Sequence, residues 1–273
     1  MAIAALIIGG GIVMLLNLTG TPTLEPAVPL SPDPAPIREY DVVAEYSHDP
    51  QALTQGLIYA GGFFYESIGL PGHSSIRKVE LNTGRVIQQQ AVDSRFLGEG
   101  LTEWRGQLIQ LTPMRTRQNG IRSFILDNLK AMGAPFLDRD SGVRYDINSL
   151  EPKSTFGYNI AGWGLTHDDH QFIKSDGTSI LRFLNPDTMK WQAQIAVVEA
   201  GKGIRWLNEL EYVDGKLYGV SDDGDVIVLK ADDGLEELAR NSLEEPSRAT
   251  PAVSGGRLYL RTMSQLHSIG GPR

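Results

Sequence analysis

Five times along the chain an apolar strand opens on one short pattern: Gln55-Gly-Leu-Ile-Tyr59, Glu99-Gly-Leu-Thr-Glu103, Trp163-Gly-Leu-Thr-His167, Asn208-Glu-Leu-Glu-Tyr212 and Thr250-Pro-Ala-Val-Ser254. A polar or glycine turn follows each, and then a second apolar strand: Phe63-Phe-Tyr65, Gln107-Leu-Ile109, Gln171-Phe-Ile173, Lys216-Leu-Tyr218 and Arg257-Leu-Tyr259. Third strands come next, as in Ser75-Ile-Arg-Lys-Val79, Ile180-Leu-Arg-Phe-Leu184 and Val226-Ile-Val-Leu229. Turns such as Asn82-Thr-Gly84 and Asn185-Pro-Asp-Thr188 lead into a fourth. The copies start 44, 64, 45 and 42 residues apart, the period of a four-stranded propeller blade. A sandwich has no need of such a period.

The last copy runs out after three strands. Tyr40 to Ser47 is expected to supply its missing outer strand, pairing near Gln265 to Ile269 and closing the ring so that no sheet edge is left open. The 64-residue interval holds an insertion at about 114–141, within which Phe124 to Leu129 can form a short helix; the blade pattern resumes at Val143. The turn between a blade's second and third strands shares a face with the connections between blades. The insertion is therefore expected over the face where each innermost strand begins.

Ahead of the repeats, Ala2 to Leu18 is an uncharged, mostly apolar run, and Thr21 to Pro36 carries six prolines. The first reads as a signal peptide or membrane anchor over residues 1–20, the second as an extended linker over 21–37. The expected organisation is thus an all-β, five-bladed β-propeller over residues 38–273, preceded by an N-terminal hydrophobic helix and a Pro-rich linker. Its location is expected to be periplasmic or extracytoplasmic, either free or anchored to the inner membrane. A net charge of −8 with no cluster of Lys or Arg excludes a nucleic-acid footprint, and zero cysteines exclude disulfides and thiolate chemistry.

The first position of each repeat rings one mouth of the central channel: Gln55, Glu99, Trp163, Asn208 and Thr250. The Gly-Leu beside it recurs while this position varies, as a functional position would. A carboxylate such as Glu99 in a narrow mouth can shuttle protons, Asn208 can donate to a developing oxyanion, and Trp163 offers a flat apolar wall. The plainer alternative is a set of polar plugs satisfying exposed strand ends. His167-Asp168-Asp169-His170 has the composition of a metal cluster but the place of a solvated turn. Ser75-Ile-Arg-Lys78 matches S-x-x-K yet alternates as a strand, and Asp222 to Asp225 reads as a hairpin turn. No metal site and no cofactor is expected.

Several strings lie in family order at blade spacing: Thr54-Gln-Gly-Leu57, Tyr65-Glu-Ser-Ile-Gly-Leu70, Gly98-Glu-Gly-Leu-Thr102, Gln110-Leu-Thr112, Gly162-Trp-Gly-Leu-Thr166, Ser175-Asp-Gly-Thr178 and Leu207-Asn-Glu-Leu-Glu-Tyr-Val213. With them the chain resembles the plant and bacterial glutaminyl cyclases, five-bladed propellers that convert N-terminal glutamine to pyroglutamate and release ammonia without a metal. The resemblance implies Glu99 and Asn208 as catalytic residues and Trp163, Gln55 and Glu66 as substrate-binding residues. It also implies peptides or proteins with an N-terminal Gln as partners, contact with a membrane only through the N-terminal segment, and a monomer. The chain departs from the family in having Pro113 and Asp222 where a Trp is usual. It has no Lys after Lys230 where the last blade should carry one, and Arg261 is the nearest cation. These departures keep open a second reading, a catalytically weakened propeller that binds peptides or envelope proteins.

Overall fold

Hairpins organise this chain, and their turns are written in the sequence. Four of the five innermost hairpins close through two residues that both have positive φ: Gly61-Gly62, Arg105-Gly106, Asp214-Gly215 and Gly255-Gly256. That is the turn whose twist matches paired strands, and it favours Gly, Asn and Asp. Blade three differs. Its four-residue loop 168–171 is held by Asp168, whose Oδ1 accepts the backbone N–H groups of His170 at 2.7 Å and Gln171 at 2.8 Å. The His-Asp-Asp-His string is therefore an aspartate-capped turn, as its position suggested.

In the computed structural model, residues 41–270 are described apart from 115–139, 159–160, 200–201, 205–206, 222–223, 232–234, 236 and 244. The expected N-terminal helix, the Pro-rich linker and the expected helix at Phe124 to Leu129 lie outside the described residues. The strands form five four-stranded antiparallel sheets. Blade one comprises Thr54–Ala60, Phe63–Ile68, Ser75–Glu80 and Val86–Ala91, and blade two Leu101–Trp104, Gln107–Thr112, Asp140–Asp146 and Pro152–Tyr158. Blade three comprises Leu165–His167, Phe172–Lys174, Ile180–Leu184 and Trp191–Ala196. Blade four comprises Leu207–Val213, Lys216–Ser221, Asp225–Lys230 and Glu237–Ser242. A two-stranded hairpin, Val198–Glu199 with Lys202–Gly203, bridges blades three and four and had no sequence signal.

Blade five closes the ring. Its own strands are Ala252–Ser254, Arg257–Arg261 and Leu266–Gly270, and its outer strand is Asp41–Tyr46, antiparallel from Asp41 opposite Gly270 to Tyr46 opposite Leu266. This is the closure expected for Tyr40 to Ser47. The third strand of blade two begins at Asp140, three residues before the expected Val143.

Five buried apolar clusters fill five seams, so each blade is held by both neighbours. Alternation along a strand sends one set of side chains to each neighbour. Leu57 and Phe64 face Tyr259 and Leu266 of blade five, while Ile58 and Tyr65 face Leu101 and Leu108 of blade two. Truncating any of these leucines to Ala is expected to cost about 2–5 kcal/mol. Polar groups cross the seams as well. Between blades one and two, Tyr145 Oη donates to Gln110 Oε1 at 3.0 Å, and Gln110 Nε2 donates to Ser67 Oγ at 2.8 Å.

The recurring glycine of the repeat has a physical cause. A Cβ on Gly56 would lie 2.4 Å from Leu101 Cβ, one on Gly100 2.4 Å from the Trp163 carbonyl oxygen, and one on Gly164 2.3 Å from the Asn208 carbonyl oxygen. At these points the innermost strands approach backbone to backbone, and only glycine leaves room.

Candidate active site

That close approach brings the first repeat positions together at one end of the channel. Glu99 precedes Gly100, whose N–H donates to the Trp163 carbonyl at 2.6 Å. Trp163 precedes Gly164, which lies against the Asn208 carbonyl. Thr250 N–H donates to the Gln55 carbonyl at 2.8 Å and joins the last blade to the first. The backbones of Glu99 and Trp163, each two residues ahead of an innermost strand, and of Asn208, the second residue of the next, therefore sit at the starts of three successive innermost strands at the same mouth. Glu99 is 6% exposed, Asn208 5% and Gln55 8%, while Trp163 is half-buried. On this same face, Met114, bridged to Phe96, and Asp140, which begins a strand, flank the segment 115–139, and Met114 N–H donates to Asp140 Oδ1 at 3.3 Å.

The indole of Trp163 rests on a prepared shelf. Gly177, with φ of +76°, lies so close that a Cβ there would sit 2.3 Å from the ring's Cζ3. The turn carrying Gly177 is pinned by Asp176, whose Oδ1 accepts Thr178 Oγ1 at 2.5 Å and whose Oδ2 is paired with the buried Arg182 guanidinium. Ser175, one residue earlier, accepts Gly164 N–H at 2.8 Å and donates to the Asn208 carbonyl. Lys174 Nζ donates to the Ala161 carbonyl at 2.6 Å, steadying the approach to Trp163. The Ser175 to Thr178 string was legible as a motif, but its task as the support of Trp163 was not.

Thr250 and Glu66 both make contacts across the closing seams of the ring. Thr250 is fully buried, and its Oγ1 donates to Glu209 Oε2 at 2.5 Å, so it closes the ring as a plug. Glu209 occupies the slot that is glycine in blades one to three, and that break in the repeat was the signal by which it could have been found. Glu66 lies in the seam between blades one and five, where its Oε1 accepts Arg261 Nη1 at 2.9 Å. The same guanidinium reaches Thr54 Oγ1, His48 Nδ1 at 2.8 Å and the carbonyls of Asp49 at 3.0 Å and Ala52 at 2.9 Å. Arg261 is thus the clasp of the ring closure, committed to one carboxylate and to the segment leading into Gln55.

Deeper in the channel, Glu211 is half-buried on the innermost strand of blade four, and burial pushes its carboxyl up to about 8 against the pull of a hydrogen bond from Thr166 Oγ1 at 3.2 Å. His167 and His170 do not form a ligand set. The first packs edge-on to Trp104 with ring centroids 5.0 Å apart, and the second is exposed. Among the described residues, no three His, Asp or Glu side chains gather as metal ligands.

The family model described as glutamine cyclotransferase matches residues 13–129 and 137–239, more than half of the chain. A curated glutaminyl-peptide cyclotransferase of Arabidopsis thaliana is 34% identical over 229 residues, covering 80% of this chain and 64% of the relative, so the chain spans under two thirds of that protein's length. The crystal structure of Myxococcus xanthus glutaminyl cyclase superposes with a TM-score of 0.68 at 20% identity, over 84% of this chain and 95% of the other, a likeness of fold. The repeated blades, the Gly-Leu strand starts and the extent of the match identify the chain as a member of the glutamine cyclotransferase family.

Proposed function

We propose that this protein cyclises the N-terminal glutamine of peptides and proteins to pyroglutamate and releases ammonia. The observation that carries the reading is the placement of Glu99, Trp163 and Asn208 at the starts of three successive innermost strands whose backbones touch at one mouth. In the reaction the free α-amine attacks its own side-chain amide carbon, a five-membered lactam forms and the amide nitrogen leaves as ammonia. Ring closure is intramolecular, so holding the side chain folded towards the amine supplies much of the acceleration. Trp163, backed by Gly177, is the wall for the glutaminyl methylenes. Glu99 takes a proton from the attacking amine and returns one to the departing nitrogen. The Asn208 carboxamide N–H donates to the carbonyl oxygen as negative charge builds there. Gln55 lies beside them and is suited to the substrate's amide. Glu66 acts from a distance by fixing Arg261 and the segment ahead of Gln55.

The N-terminal apolar run and the Pro-rich stretch support an extracytoplasmic, membrane-tethered location for a monomeric propeller. A second reading, peptide binding without turnover, is favoured by one observation. The nearest last-blade cation, Arg261, is fully engaged by Glu66 and its neighbours. Ammonia release from a Gln-initiated dipeptide, beside calorimetric binding of the same peptide, decides between them. Release supports the cyclase, whereas binding without release supports the binding module.

A further inference from the structure

We propose that Ser175 is a positioning residue that sets Asn208 against Trp163 across the seam of blades three and four; this rests on the cyclisation proposed above. Ser175 is 0% exposed and follows the second strand of blade three, Phe172–Lys174. It holds the Trp163-Gly164 dipeptide by three bonds. Trp163 N–H donates to the Ser175 carbonyl at 3.2 Å, Ser175 N–H donates to the Gly164 carbonyl at 3.1 Å, and Gly164 N–H donates to Ser175 Oγ at 2.8 Å. A hydroxyl carries one proton, and with its oxygen already accepting from Gly164 that proton goes to the Asn208 carbonyl of the next blade.

The polarity of this chain is fixed, because an amide N–H can only donate and a carbonyl can only accept. One side chain therefore couples the backbone of the residue proposed to hold the substrate to the backbone of the residue proposed to stabilise the oxyanion. In blade two the corresponding position is Leu111, so the Glu99 to Trp163 seam depends on the Gly100 N–H instead. Loss of the hydroxyl leaves Trp163 on its Gly177 shelf but removes the tie from blade three to the Asn208 carbonyl, and so loosens the direction of the carboxamide. The effect should fall on the transition state more than on ground-state binding.

The test is a double-mutant cycle on the full chain, with ammonia release from a Gln-initiated dipeptide and thermal unfolding measured for each protein. Ser175→Ala is expected to lower kcat about 10- to 100-fold with KM changed less than about 3-fold. Ser175→Cys fills the same space with a weak donor and should lose kcat similarly, while Ser175→Thr, which keeps the hydroxyl, should stay closer to wild type. In an Asn208→Ala background, Ser175→Ala should cost little further kcat, since the group it aims is gone. Equal losses in both backgrounds, or wild-type kcat in Ser175→Cys, overturn the proposal and leave the cyclase reading standing. Absence of turnover by wild type overturns that reading and this proposal with it.

Discussion

Gly177 offers a direct way to move Trp163 without touching it. In Gly177→Ala the new Cβ would lie 2.3 and 2.4 Å from Cζ3 and Cη2 of the indole, and 2.8 Å from Cε3. Carbon atoms that are not bonded settle about 3.5–4.0 Å apart, so the ring must retreat by about 1 Å or more. The backbone resists separately, since a side chain at φ of +76° costs about 1–2 kcal/mol. A displacement of about 1 Å in a positioning group can cost about 100-fold. Steady-state ammonia release from a Gln-initiated dipeptide should therefore show kcat/KM lowered by about 10- to 100-fold, mostly through KM. The melting temperature should fall by about 2–8 °C. If the melting temperature falls while KM and kcat stay at wild-type values, the indole on its shelf does not hold the substrate and the reasoning is refuted.

Further outcomes follow from the same geometry. Glu211, pushed up to about 8 from an ordinary 4.5, holds its proton in the folded state through a range where the unfolded chain has lost it, so its contribution to stability is complete below about 4.5 and disappears as pH rises through about 8. At about 1.4 kcal/mol per pH unit the upper bound is near 5 kcal/mol. Glu211→Gln should accordingly gain on wild type in melting temperature from pH 5 to pH 9, and a constant difference contradicts the assignment. Arg261→Met should cost about 3–5 kcal/mol in urea unfolding, because it strands the Glu66 carboxylate in the closing seam; a loss below about 1 kcal/mol would show the clasp to be unimportant. His167→Ala with His170→Ala should leave ammonia release unchanged, and a large loss there would return the turn to candidacy as a site.

How much of this was legible depended on whether the cause was local. The two-residue turns at Arg105-Gly106 and Asp214-Gly215 announce themselves, and so does the strand period, because hairpin geometry is set by neighbours in sequence. Ring closure by Asp41–Tyr46 was legible by elimination, since a three-stranded last blade leaves an open edge. The recurring glycines of Gly56, Gly100 and Gly164 were visible as a pattern, but their cause lies in another blade's backbone. Seam chemistry was hidden for the same reason. Nothing near Ser175 in sequence points to Asn208, and nothing near Arg261 points to Glu66, some two hundred residues away. Glu209 in a glycine slot was the readable exception.

The proposed mechanism turns on Glu99 moving a proton during cyclisation of N-terminal glutamine. The most direct measurement gives the full chain and its Glu99→Gln variant a Gln-initiated peptide labelled with nitrogen-15 at the side-chain amide, and follows product mass and released ammonia together. The predicted result for wild type is labelled ammonia released in step with a peptide lighter by one ammonia, with Glu99→Gln slower by about 100- to 10,000-fold in kcat and little changed in KM. Labelled ammonia accompanied by a glutamate-initiated peptide, or turnover undiminished in Glu99→Gln, would contradict it.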